Sequence, residues 1–241
     1  MHWVKHTLFW AAAFFVEEMR AFSSSYRAQA KDLKSGRVIY YENHEEIWQE
    51  GRHLHSEVTY TTPEGKTIAR KKIIFEKSKT APDFVTEDLR TGYLEGAQYL
   101  GPQRIRLFTR ESAHSPLKEK VLTFDDTVVV DGGFDYFIRQ NWEKLMAGEK
   151  LHFLFTVPAR LTAFRFRIYK IAEERFLDRD CVRFALEFDN LFLRFFLDGF
   201  SLFYDKATRR LVIFRGLTNI PSPSGTNYIA EILFPPLPRK E

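Results

Sequence analysis

A single cysteine, Cys181, stands among the 241 residues of the chain, so no disulfide can form within it. The fold must therefore rest on a packed core and backbone pairing. Cys181 opens an apolar strand pattern and reads as a buried, inert thiol. Long apolar runs are missing too. The most apolar stretch, Thr7 to Val16, is ten residues, too short for a helix that crosses a bilayer. Charge of one sign is never concentrated: the 36 Lys and Arg are interspersed with 32 Asp and Glu, and the longest basic run, Arg70 to Lys72, is three residues. A net charge of +4 spread in this way is a solvated strand face rather than a nucleic-acid footprint. No GxSxG elbow, phosphate-binding glycine loop or HExxH helix occurs, which leaves no motif for nucleophilic hydrolysis, nucleotide binding or zinc proteolysis.

What the chain has in excess is phenylalanine. Thirteen of its 24 Phe fall between Phe153 and Phe214. Phe164, Phe166 and Ile168, and then Val182, Phe184, Leu186 and Phe188, occupy alternate positions. A period of two predicts antiparallel strands with one apolar face, and sends Arg165, Arg167 and Arg183 to the opposite face. That apolar face needs a cover: a helix, a second sheet or an apolar ligand.

Along the chain, residues 36–48 and 52–62 read as strands around a turn at Glu50-Gly51, and Gly65 reverses the chain into 67–75. Residues 78–101 are polar and broken by Pro82, Gly92 and Gly96, with one short strand expected near 88–94. Strands follow at 104–109, up to Val130, and at 151–157, 161–171, 181–188, 200–204, 209–217 and 227–234. One helix is predicted from Phe134, Phe137, Ile138, Trp142, Leu145 and Met146, with Asp131 as its N-cap and Gly148 as its stop. Leu191 to Leu197 (LFLRFFL) is too uniformly apolar for a half-wet strand and reads as a short helix in the sheet's hollow. The fold class is thus mainly β: a curved antiparallel half-barrel of about nine or ten strands wrapping one amphipathic helix and one short apolar helix. The closing Pro235-Pro236-Leu237-Pro238 reads as a chain end.

Residues 1–30 read as a signal peptide or leader: Lys5 precedes the apolar run, and Ser23 with Ser25, or Ala28 with Ala30, gives small-residue spacing. Glu17, Glu18 and Met19 depart from the usual cleavage pattern; the rival reading is a cytosolic chain with an amphipathic leading helix. Residues 31–238 read as one β-rich domain, with no other membrane-spanning candidate.

Candidate chemistry is sparse. His53 and His55, two apart on one strand, would share a face, with His44, Glu42 and Glu46 on the hairpin partner. Such a set could hold zinc, although charged positions on a solvated strand give the same pattern, and the histidines read as surface residues. Asp125, Asp126, Asp131 and Asp135 gather at the helix entry, where capping and the helix dipole account for Asp131 and Asp135. No metal or cofactor is expected. The sharper site is the apolar face itself, where Phe164, Phe166, Phe184, Phe188, Phe192, Phe195 and Phe196 would converge on an acyl chain if they do not close into a filled core.

Several stretches resemble a family of uncharacterised proteins of Gram-negative bacteria. They are Gly36 to Tyr40 with Glu42 and His44, Tyr60 to Lys72, Val130 to Asp135, and Tyr204 to Asn219 with Gly225, Asn227 and Tyr228. The resemblance implies an exported protein, and the meander with an inserted helix looks like the half-barrel of periplasmic lipoprotein carriers similar to LolA. The expected function is non-enzymatic: a periplasmic protein that binds a lipid or lipoprotein acyl chain in its concave face. The alternatives are an envelope scaffold with a filled core, pairing with another envelope protein, and a hydrolase using Asp131 or the His44/His53/His55 group.

Overall fold

The structure is a computed structural model and describes residues 21–176, 178–190, 199–222 and 225–236. The first arm of the sheet is a meander: β1 (Ala21–Asp32), β2 (Val38–Gln49), β3 (Arg52–Thr61), β4 (Thr67–Ile74), β5 (Asp83–Asp88), β6 (Tyr93–Gly101), β7 (Arg104–Arg110) and β8 (Lys118–Thr123). The short β9 (Val128–Val129) and the helices α1 (Gly133–Gln140) and α2 (Trp142–Met146) follow. The second arm runs through β10 (Leu151–Val157), β11 (Thr162–Phe176), β12 (Arg179–Phe188), β13 (Phe200–Asp205), β14 (Leu211–Pro221) and β15 (Asn227–Leu233). All join one 15-stranded sheet in the order β8 to β1, then β15 back to β9. Only the β9–β10 pairing is parallel.

The arms meet along β1, which pairs with β2 over most of its length and with β15 from Gln29 to Asp32. Residues 21–30 are therefore a central strand, and small-residue pairs such as Ala28 and Ala30 are core positions, both wholly buried. At the far side the arms approach again without hydrogen-bonding into a barrel. The turn Pro158–Arg160 touches β6 and β7, and Leu154, Leu161 and Ala163 pack against the cluster that holds Ile105 and Leu107.

The alternation read in the phenylalanine strands is present. Phe166, Ile168, Val182, Phe184 and Leu186 belong to one buried cluster. On the other face Arg167 pairs with Glu187, Arg183 with Glu174 and Arg165 with Asp126. The hairpin at Glu50-Gly51 forms with both residues at positive φ, 50° and 72°, as a two-residue turn of the right twist requires.

The strand count departs from nine or ten for three reasons, the first being that the piece expected up to Val130 is two strands, β8 and β9. β1 was concealed in a segment that reads as a leader. The expected strand at 88–94 straddles the turn between β5 and β6, where the Asp88 carboxylate accepts from the Arg90 amide at 2.9 Å and side chain at 3.0 Å, and Gly92 takes φ +73°. The flanking strands carry buried polar residues, Thr86, Asp88 and Glu95, which masks their strand character.

The single predicted helix is two. Asn141 interrupts it, with φ −105° and its side-chain amide on the Phe137 carbonyl at 2.9 Å. Asp131 is not the N-cap: that position is Gly132, and the helix has no side-chain cap. Gly148, at φ +89°, ends the second helix as expected. Docking of α1 needs Gly133, where a Cβ would lie 2.1 Å from the Thr80 carbonyl oxygen. Trp142 packs edge-on to Phe184 at 5.7 Å, and Leu145 is wholly buried in the same cluster. The two helices thus fill one end of the hollow. LFLRFFL lies outside the described residues.

Candidate functional site

Beyond the helices the hollow stays open as a cavity of about 1570 Å³. Drug-sized ligand sites run from roughly 300 to 1,000 Å³, so this one has room for a long chain. Its two walls differ in chemistry because the two arms differ in sequence.

The second arm supplies the apolar wall. Phe164, Phe166 and Phe188 line it together with Phe155, Phe200 and Phe214. Phe166 and Phe188 lie 4.3 Å apart between ring centroids, and Phe164 meets Phe188 edge-on at 5.8 Å. Phe200 covers Gly216, where a Cβ would fall 2.3 Å from the Phe200 ring; the glycine lets that ring lie down on β14. Phe184 does not line the cavity. It is 0% exposed beneath Trp142 and Tyr204, because the helices cover that part of the sheet. Phe192, Phe195 and Phe196 lie outside the described residues.

The first arm supplies a charged wall. Glu42, His44, Glu46 and Trp48 alternate along β2 and all face the cavity, so the reading of this strand as solvated is corrected. The His44 Nε2 donates to Glu42 at 3.0 Å, a direction fixed by the carboxylate, which only accepts. Glu46 accepts from the Trp48 indole at 3.0 Å and the Tyr26 hydroxyl at 3.3 Å. Glu95 accepts from Tyr93 at 2.9 Å. Burial pushes the Glu95 carboxyl above the ordinary carboxylate range, against the hydrogen bond from Tyr93 and the charge of Lys71.

Lys71 and Asp131 form an ion pair across the cavity wall, with Lys71 Nζ 2.8 and 3.0 Å from the two carboxylate oxygens. Their side chains are 9% and 7% exposed. Burial disfavours the Lys71 ammonium, but the adjacent Asp131 and the more distant Glu95 and Glu42 hold its pKa above the ordinary lysine value. Asn219 also donates to Asp131, at 3.2 Å. Asp135 is bound by Arg139 at 2.6 Å within α1. Asp126 sits elsewhere, paired with Arg165.

His53 and His55 do not share a face. The pairing of β2 with β3 shifts between Ile47 and Trp48, so His55 lies opposite Ile47 and His53 opposite Trp48. The bulge turns His53 inward onto the Trp48 ring at 4.6 Å, whereas His55 is absent from the cavity wall. Both His53 nitrogens are engaged. Nε2 lies 3.1 Å from the His55 carbonyl, which only accepts, so Nε2 carries the proton and Nδ1 accepts from Tyr136 at 2.9 Å. Ser56 Oγ, 2.9 Å from the same Nε2, is therefore an acceptor there and is not activated as a nucleophile. Among the described residues no group of three or more His, Cys, Asp or Glu is placed to hold a metal ion. Cys181 is wholly buried, and burial pushes its thiol pKa up.

Sequence reasoning missed Tyr26, Tyr60, Lys71, Tyr93 and Glu95 as cavity residues. The one available signal was the alternation of Glu42, His44, Glu46 and Trp48, which shows a shared face but not which face is inside. No protein-family model matches this chain, and no curated protein and no solved structure is significantly similar to it.

Proposed function

We propose that this protein is a periplasmic carrier that binds an apolar ligand, a lipid or lipoprotein acyl chain, in the hollow of its sheet. Binding is non-covalent and is driven by burial of apolar surface at about 25 cal/mol per Å². The observation that carries the reading is the phenylalanine-walled cavity of about 1570 Å³; a closed core packs to the density of an organic crystal and leaves few voids larger than a water molecule. Placement in the periplasm rests on residues 5–16, and the likeness to LolA-like carriers on the pattern of a long meander with an inserted helix alone.

Hydrolysis is a second reading with an observation behind it, since Asp131, His44 and His53 all line the cavity. The pairings argue for binding instead. Asp131 is neutralised by Lys71, His53 has no free nitrogen to act as a base, and Ser56 accepts rather than donates.

The test is uptake of a neutral fluorescent polyene alcohol of fatty-acid length by the wild type and by Phe188→Trp. The larger ring narrows the cavity, so uptake should weaken about tenfold, equivalent to ~1.4 kcal/mol, while the melting temperature stays within a few degrees. Loss of stability with uptake unchanged is the response of an overpacked core and would overturn the reading.

A further inference from the structure

The charged wall narrows the class of ligand. Seven carboxylates line the cavity: Asp131 is neutralised by Lys71, Asp135 by Arg139 and Glu111 by Lys118, and Asp205 accepts from Thr208. The other three, Glu42, Glu46 and Glu95, are buried and held by neutral or titratable donors: His44, Tyr26, Trp48 and Tyr93. Among the described residues no Lys or Arg lies within ion-pair distance of these three. Arg160, Arg179, Arg210 and Arg215 also line the cavity, but from the second arm. On the first-arm wall the three carboxylates share the hollow with Lys71, already spent on Asp131, so that wall is poor in positive charge inside a protein whose net charge is +4.

Two further features point to what is missing there. Tyr40 is 0% exposed and lines the cavity, and its hydroxyl makes no hydrogen bond of good geometry, with the Thr218 side chain its nearest polar neighbour; a buried polar group so poorly paired is costly until something arrives to pair with it. Tyr26, Tyr40, Tyr60, Tyr93 and Trp48 also bring aromatic rings to the wall that carries the carboxylates, with Tyr40 and Tyr60 edge-on at 5.9 Å. Aromatic faces beside carboxylates are the recognition chemistry of ammonium groups, through ring quadrupole and charge together.

We infer that the cavity takes a cationic amphiphile, an apolar chain ended by an amine or quaternary ammonium, with the chain on Phe164, Phe166 and Phe188 and the head against Glu46, Glu95 and Tyr40. This inference rests on the proposed function and names its ligand class. The burial that raises the Glu95 pKa is consistent with it, since a cation beside Glu95 acts in the same direction as the charge of Lys71 and favours the carboxylate.

The experiment is calorimetric titration of the full chain at neutral pH with decyltrimethylammonium, decanol and decanoate, each below its micellar concentration. The ammonium should bind about tenfold or more tightly than decanoate, a gap of ~1.4 kcal/mol or more, with decanol between them. Adsorption by net charge alone would favour decanoate, so that order is not a surface effect. Glu46→Gln and Glu95→Gln should each weaken the ammonium and leave decanol unchanged; two isosteric variants guard against one failing to fold. Decanoate or decanol binding as tightly as the ammonium would overturn the cationic inference and leave the apolar cavity standing. Binding of none of the three would remove the carrier reading, and this inference with it.

Discussion

Lys71 and Asp131 show how a buried ion pair is held at a cavity wall. Each charge is removed from water, and each is matched by the other, with Asn219 and the Gly132 amide filling the remaining acceptor positions of Asp131. Removing one partner leaves an uncompensated buried charge, which costs about 3–5 kcal/mol, whereas replacing both with apolar groups is far less damaging. In urea denaturation at pH 7, Lys71→Met should lose about that much stability, and the double substitution Lys71→Met with Asp131→Leu should recover a large part of it. Equal losses in the single and double variants would mean that the pair does not act as a unit.

Glu95 makes the opposite prediction. Its folded pKa lies above the unfolded value, chiefly through burial, so the folded state holds the proton longer than the unfolded one. Stability then falls as pH rises from the unfolded carboxylate pKa through the raised folded one. Glu95→Gln removes this term. Its melting temperature should exceed that of the wild type at pH 7, and the difference should shrink towards pH 4. A difference that does not change with pH would show that Glu95 titrates normally.

At the scale of elements, β1 is the piece on which the sheet depends. It contributes wholly buried Ala28 and Ala30 and is hydrogen-bonded along both edges, to β2 and to β15. A chain starting at Lys31 would expose the edges of β2 and β15 and separate the two arms. It should fail to fold cooperatively, while a chain starting at Ala21 should melt in a single transition; circular dichroism of the two truncations checks this. A cooperative fold from Lys31 would show that β1 is dispensable.

The same strand marks where the sequence stops being legible. Ala28 and Ala30 have the spacing of a cleavage site, and nothing local distinguishes that from two small core positions under Tyr40. Strands with an apolar period were legible to within a few residues, as at Leu151–Val157 and Phe200–Asp205. β5 and β6 were not, because their buried residues Thr86, Asp88 and Glu95 look like loop composition. In the site, Phe164, Phe166 and Phe188 could be read from alternation alone. Phe184 could not be sorted from them, since only the docking of Trp142 decides that it is covered. His53 and His55 were misread for a physical reason: a single bulge at Leu54, opposite Ile47 and Trp48, reverses facing beyond it, and no residue type there announces it.

Over the whole molecule the division of labour follows the chain. The arm from β1 to β6 carries Glu42, Glu46, Glu95 and the tyrosines around them, and the arm from β10 to β14 carries most of the cavity's phenylalanines. Because the sheet curls, side chains distant in sequence, such as Glu46 and Phe188, line one cavity. A filled-core scaffold would not need either wall. Among the described residues no helix is long and apolar enough to cross a membrane.

The most direct test of the central claim is native mass spectrometry of the protein purified from the envelope fraction of its own host, followed by solvent extraction of whatever it releases. The account predicts a discrete co-purifying mass that dissociates as an apolar-chain molecule. A clean ligand-free mass, still clean after incubation with envelope lipids, would contradict it.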